Sequence, residues 1–490
     1  MELTDSGLLK AQAHVGGTWV DADDGSRFAV RDPASGAELA RVARLSATET
    51  MRAIDAADGA LAKLARLGAA GRAALLTRLA SELERHAEDL ARIMTAEQGK
   101  PLPESRAEVA YGRAFFEWFA GEAPRIYGRV VPPPSDDKRV LVLRQPVGVG
   151  AAITPWNFPS AMIARKLAPA LAAGCPMVLK PAEATPLSAL TLAELASRAG
   201  APDGAFNVVT TDADGADAVG RALCASPVVR KLSFTGSTAV GKLLAGRCAS
   251  TVKRVSLELG GNAPFLVFDD ADLEAAVEGA LIAKFRNCGQ TCVSANRFLI
   301  QAGIYDAFRD RLRGRMETLQ LGPGDRDGTD LGPLIDGQGL AKVERLLDDA
   351  REHGADVLLG GARVDAQTTF YPPTLVEGVT PQMEIFREEI FGPIVTLTRF
   401  DDEAEAIALA NDPRAGLCAY YYSRDLGRGF RVSEALEYGM VGVNTGLISN
   451  AAAPFGGVKE SGLGREGGAE GIEDWVETKY VCFGDCHPTG

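Results

Sequence analysis

The segment Phe285-Arg286-Asn287-Cys288-Gly289-Gln290-Thr291-Cys292-Val293-Ser294-Ala295-Asn296 holds two cysteines four apart, a glycine between them and an arginine just upstream. Only small or neutral polar side chains flank Cys292, so nothing bulky bars a substrate from its sulfur. A thiol attacks carbon only as thiolate, which needs a lowered pKa or a nearby base. None of the four histidines, His14, His86, His353 and His487, is close in sequence, which argues against a Cys/His pair of the protease kind. A lone cysteine is otherwise a small buried hydrophobe. Cys292 therefore needs partners from elsewhere in the chain.

Six further stretches offer them. In Thr154-Pro155-Trp156-Asn157-Phe158-Pro159 a buried strand ends and a helix begins. Asn157 there is either an uncharged amide donor for a developing oxyanion or a helix cap. Lys180-Pro181-Ala182-Glu183 follows the next strand; its ammonium and carboxylate suit ribose hydroxyls, and a glutamate repels a 2′-phosphate. The same pair also reads as a solvated salt bridge. In Phe234-Thr235-Gly236-Ser237-Thr238 a strand gives way to a helix whose free N–H groups bind phosphate, or are simply capped. Glu258, in Leu257-Glu258-Leu259-Gly260-Gly261-Asn262, sits among leucines, where burial raises a carboxyl towards the range of a general base. A salt bridge at a strand end is the alternative. Glu388-Glu389-Ile390-Phe391 sets an acidic pair beside an aromatic ring. The glycine-rich run from Pro454 to Glu466 is expected to pack at an interface. Cys482, Cys486 and His487 are too few for a structural zinc site, and no metal is expected.

These residues need a scaffold, and the chain supplies an α/β pattern. Residues 13–42 contain short strands broken by turns, Ser46 to Gln98 reads as helix, and a second helix runs from Pro103 to about Ala120. After Pro132-Pro133-Pro134, the strand Arg139–Arg144 looks exposed and available to another subunit. From Val147 to Val209 strands and helices alternate, which implies a parallel sheet with helices on its faces. A second α/β unit follows over 264–445, and Trp475–Val481 reads as a strand that joins an oligomer. At 490 residues two or three domains are expected. The net charge of −13 argues against a nucleic-acid or anionic-membrane surface. Met1 to Val20 lacks the apolar core of a signal peptide. Eight cysteines in so long a chain point to a reduced, cytosolic protein.

Taken in order, the motifs resemble the NAD(P)-dependent aldehyde dehydrogenase superfamily, from about residue 15 to 480. The resemblance implies a Rossmann-like cofactor domain (1–124 and 146–259), a catalytic α/β domain (260–462), and an oligomerisation arm and tail (125–145 and 463–490). Homodimers or homotetramers are implied too. It makes Cys292 the nucleophile, Asn157 and the Cys292 N–H the oxyanion hole, and Glu258 the base that activates water. Lys180 and Glu183 would hold the adenosine ribose, Gly236 and Ser237 the pyrophosphate, and Glu389 the nicotinamide ribose near Phe391. Thr154, Pro155, Trp156 and Leu259 would line the cofactor cleft. The resemblance narrows to succinate-semialdehyde dehydrogenases at Arg165, Arg286 and Ser449, which there bind the substrate's carboxylate. Guanidinium groups suit that task; glutarate semialdehyde is the alternative substrate. Glu183 favours NAD⁺, with NADP⁺ possible. Members of that subfamily often carry a second cysteine two residues after the nucleophile. Here that position is Ser294, and Cys288 is expected to face Cys292 if the segment is helical.

Overall fold

The computed structural model describes residues 1–486. Its centre is an eight-stranded sheet in the order Thr18–Val20, Ala13–Val15, Phe206–Val208, Met177–Lys180, Val149–Ile153, Val229–Thr235, Arg254–Glu258, Gly462–Leu463. The middle five strands run parallel. The central two, Val149–Ile153 and Met177–Lys180, are apolar almost throughout because helices cover both faces. Val149, Ala151, Val178 and Leu232 are fully buried. After the strand Arg254–Glu258 and four intervening residues, the chain enters a second sheet at Ala263. That seven-stranded sheet runs Asp356–Leu359, Thr374–Glu377, Ile394–Phe400, Ala295–Gln301, Ala263–Val267, Cys418–Tyr422, Met440–Val443. All but its first strand are parallel.

Several expectations need correction. The helical run from Ser46 is three pieces. Ser46 and Glu49 form a capping box at its start, Gly68 breaks it with φ +61°, and it ends at Arg85. A separate helix Ala87–Gln98 then stops at Gly99, φ +92°. The two glycines reach a backbone region that side chains resist. The strand expected from Val147 begins at Val149, after a break at Gly148.

Arg139–Pro146 is not an open edge. It is the middle of a three-stranded sheet, paired antiparallel with Val476–Phe483 on one side and Arg129–Val131 on the other. The glycine-rich run packs within the chain as well. Gly462–Leu463 pairs with Leu257 and Glu258, and the Ser461 carbonyl accepts the Leu259 N–H. Among the described residues no helix is long and apolar enough to cross a membrane.

Candidate active site

The register of the first sheet explains why four motifs meet. Ile153 lies opposite both Lys180 and Phe234, and Thr235 lies opposite Glu258. The carboxyl ends of four adjacent parallel strands are therefore level. They present Thr154–Asn157, Lys180–Glu183, Gly236–Ser237 and Glu258–Gly261 along one edge, where open α/β sheets bind ligands. The second sheet faces this edge with its opposite end. Cys292 sits just ahead of strand Ala295–Gln301, whose first residue is paired with Ala263. The short crossing from Glu258 to Ala263 thus brings base and nucleophile to one place. A side chain at Gly261 would collide with the Cys292 carbonyl, so glycine is required there.

The loop that carries Cys292 is held from three sides. Asn287 and Cys288 adopt left-handed backbone, φ +53° and +56°. Asn287 N–H donates to Glu104 (2.7 Å), and Gln98 Nε2 donates to Asn287 Oδ1 (2.9 Å). Gln290 spans to Pro333 and Ile335. This turn overturns the helical expectation for Cys288. Cys288 is buried, and burial pushes its thiol up to about 12. Cys292, by contrast, is partly exposed.

Asn157 is not a helix cap. The helix Ala161–Ala173 begins after Ser160, and its leading N–H groups, Ser160 and Ala161, go to Glu108 Oε1 at 2.9 and 3.1 Å. Glu108 is in turn paired with buried Lys100 (2.5 Å), which donates to the Asn157 carbonyl at 2.7 Å. Asn157 Nδ2 donates one hydrogen to Gln290 O (3.0 Å). The amide has a second hydrogen to give.

A cavity of about 260 Å³ gathers Asn157, Glu258, Cys292, Glu389 and Phe391. It shares Pro155, Trp156, Thr235, Gly236 and Ser237 with a neighbour of about 460 Å³ that holds Lys180 and Glu183. The two form one groove. Leu259 lines its first part and Thr154 its second. Trp156 meets Phe391 edge-on, with centroids 5.5 Å apart.

The groove fits NAD(P) by its own chemistry. Thr235 Oγ1 is buried there without a partner. Lys180 and Glu183 are paired at 3.1 Å at its far end. Ser237 caps helix Thr238–Cys248, placing the free end of that helix on the groove. Glu389 accepts the Gly261 N–H (3.0 Å), whereas its neighbour Glu388 turns outward to Arg345.

Electrostatics set resting states. Burial pushes Cys292 up to about 11, with Arg165 and Arg286 pulling the other way. Burial, reinforced by the negative charge of Glu466, holds Glu258 well above the usual carboxylate range. Both Glu258 oxygens are buried and unpartnered, and Glu258 lines the cavity with Cys292. Burial raises Glu389 to about 7.

The expected carboxylate clamp is only partly assembled. Arg286 and Ser449 line one small cavity with Thr291 and Val293, the residues on either side of Cys292. Arg165 stands apart from that cavity. It is fully buried, paired with Glu466 and stacked over Phe455 at 4.1 Å, and its terminal nitrogens make no hydrogen bond. A buried glutamate demands a cation, and Glu466 takes two, Arg165 and Lys166.

Glu466, Lys166 and Tyr111 went unrecognised in the sequence. The Tyr111 hydroxyl is buried, unpartnered and within electrostatic reach of Arg165, Arg286 and Cys292. Nothing local marks it, since it is one aromatic on a helix of aromatics. Of the suggested terminal cluster, His487 lies outside the described residues. Among those described, no three acidic, histidine or cysteine side chains are grouped to hold a metal.

The family profile described as the aldehyde dehydrogenase family matches residues 19–481. The chain belongs to that family, and NAD(P) is its cofactor. It is 56% identical to the 3-sulfolactaldehyde dehydrogenase of Pseudomonas putida, covering 99% of both chains. It is 55% identical to the NADP⁺-linked succinate-semialdehyde dehydrogenase of Escherichia coli K12, covering 99% of this chain and all of that one. The crystal structure of succinate-semialdehyde dehydrogenase from Burkholderia pseudomallei superposes with a TM-score of 0.97 at 54% identity, covering 99% of this chain and all of that one.

Proposed function

We propose that this chain oxidises succinate semialdehyde to succinate with NAD⁺. The observation that supports the substrate is that Arg286 and Ser449 line one void with Thr291 and Val293, the residues flanking Cys292; at about 10 Å³ it admits a carboxylate only once these side chains part. A short aldehyde with a carboxylate at its far end reaches the sulfur while its anion lies on a guanidinium. Arg165 adds positive potential at the sulfur.

The chain's own groups then divide the work. Glu258 takes the thiol proton, and Cys292 Sγ bonds to the aldehyde carbon. The Asn157 amide and the Cys292 N–H steady the oxyanion. The nicotinamide, when bound, supplies the hydride acceptor. Glu258 passes that proton to solvent and then removes one from the water that attacks the resulting thioester, which releases the acid and frees the sulfur as thiolate.

The test is a set of initial rates at 340 nm with succinate semialdehyde, glutarate semialdehyde, 3-sulfolactaldehyde and butanal. Succinate semialdehyde should exceed butanal in kcat/KM by about tenfold or more, about 1.4 kcal/mol of transition-state binding. Arg286→Ala should erase that margin while sparing butanal. Equal rates for butanal would leave a general aldehyde dehydrogenase and sink the clamp. If glutarate semialdehyde or the sulfonate leads, the clamp stands and the substrate changes.

Glu183 places a negative charge where a 2′-phosphate would lie, so kcat/KM should favour NAD⁺. Glu183→Ala should raise NADP⁺ use by about tenfold by removing like-charge repulsion. A wild-type preference for NADP⁺ refutes this.

The cofactor, catalytic and arm domains (1–124 with 146–259, 260–462, and 125–145 with 463–490) are proposed on the same footing, as is a cytosolic location. A homodimer or homotetramer is supported by exposed Val130, Tyr480 and Phe483 on the three-stranded sheet. Light scattering that gives a monomer mass would exclude it.

A further inference from the structure

Helices Ala213–Ala225 and Thr238–Cys248 wall the Lys180–Glu183 end of the groove. Each ends in or beside a buried cysteine. The sulfurs of Cys224 and Cys248 are 3.7 Å apart, and Cys248 donates to Cys224. No other two sulfurs among the described residues are in hydrogen-bond contact. Residues four apart on a helix share a face. Gly220, four before Cys224, and Leu244, four before Cys248, both line the groove. They also meet across the two helices: a Cβ at Gly220 would touch Leu244 at 3.9 Å. The cysteine pair therefore lies one turn from the Gly220 and Leu244 pair of the groove walls, which Asp217 and Arg247 also bridge at 2.6 Å.

We propose that Cys224 and Cys248 form a reversible disulfide that draws these walls together and weakens cofactor binding. It rests on reading this end of the groove as the adenosine site. A disulfide needs sulfurs about 2 Å apart, so the helices must close along the face where Gly220 stands against Leu244. The hydrogen bond from the Cys248 thiol favours thiolate at Cys224, and so does the ammonium of Lys253, anchored on the Ser226 and Val229 carbonyls at 2.9 and 3.0 Å. Both cysteines are buried, but the following turn, Ala249–Thr251, leads to Val252, which is 90% exposed.

Hydrogen peroxide is the oxidant in this scheme. The Cys224 sulfur attacks one peroxide oxygen, the O–O bond breaks, and water leaves with a sulfenic acid on Cys224. The Cys248 sulfur then attacks that sulfur, the S–S bond forms, and the hydroxyl departs with the thiol proton as a second water. Two thiols lose two electrons and two hydrogens, and peroxide becomes two waters.

The test treats the full chain with peroxide, blocks free thiols with N-ethylmaleimide, and seeks the linked Cys224 and Cys248 peptides by mass spectrometry. NAD⁺ binding is measured by calorimetry before oxidation, after it, and after dithiothreitol. A linked peptide and a Kd raised by about fivefold, restored by the reductant, are expected. Both should vanish in Cys224→Ala and in Cys248→Ala, while oxidation of Cys292 proceeds equally in all three proteins. Absence of the linked peptide overturns the proposal. So does a linked peptide with unchanged Kd, or a shift that survives in both variants. A reduced chain that fails to bind NAD⁺ would instead overturn the reading of the groove, because the linked peptide is scored without cofactor.

Discussion

Replacing Cys292 with alanine should lower kcat by about four orders of magnitude or more, with the Kd for NAD⁺ unchanged within about twofold. Removing a nucleophile from a concerted set of groups costs effects of that size. No other thiol can substitute. Cys288 is buried and held near 12, and Cys418, also buried, donates to the Val293 carbonyl. Cys292 is the only cysteine among the residues lining the cavity with Glu258 and Asn157. Steady-state rates with the variant, alongside cofactor titration by fluorescence, make the measurement. Activity retained within about tenfold would mean that the aldehyde carbon never bonds to this sulfur.

Glu258→Gln should leave a different trace. An amide takes no proton from water, so steady turnover should fall by about a hundredfold to ten-thousandfold. The thioester can still form in that variant, more slowly, because the Cys292 thiol then loses its proton to solvent instead of to Glu258. A stopped-flow record should therefore show about one equivalent of NADH per active site and then a near-flat line. Wild-type pH dependence follows from the same carboxyl. Its pKa is raised in the fold, so it is protonated and inactive as a base at low pH. The rate should climb as pH rises through that value, and the thiol, near 11, pushes in the same direction. A bell with its fall between about pH 7 and 9 would contradict this assignment, as would normal turnover in the Glu258→Gln variant.

The parts of the site visible in the sequence were those borne on strand ends. Four parallel strands in register bring their following residues level, so Asn157, Lys180, Ser237 and Glu258 converge without any information beyond the alternation of strands and helices. What could not be read was set by distant partners. Whether Asn157 caps a helix depends on Glu108, which satisfies that helix from another one. The orientation of Cys288 depends on a left-handed turn held by Gln98 and Glu104. Arg165 was recognisable as a cation near the site, but Glu466, which engages it, lies far along the chain. The strand Arg139–Pro146 looked unpaired because both its neighbours are separated from it by turns or by most of the chain.

The short return strand Gly462–Leu463 and the buried Glu466 beyond it bear on how the protein is made. A nascent chain ending at residue 455 has every catalytic group already synthesised. It still lacks the edge that covers Glu258 and the carboxylate that neutralises Arg165 and Lys166. Two interior cations without a counter-charge oppose closure of the first sheet. Contacts of such sequence separation form late. Ribosome-bound intermediates should thus be inert until Glu466 has been added and has emerged, and the reactive thiol is sheltered in a finished fold only after that point.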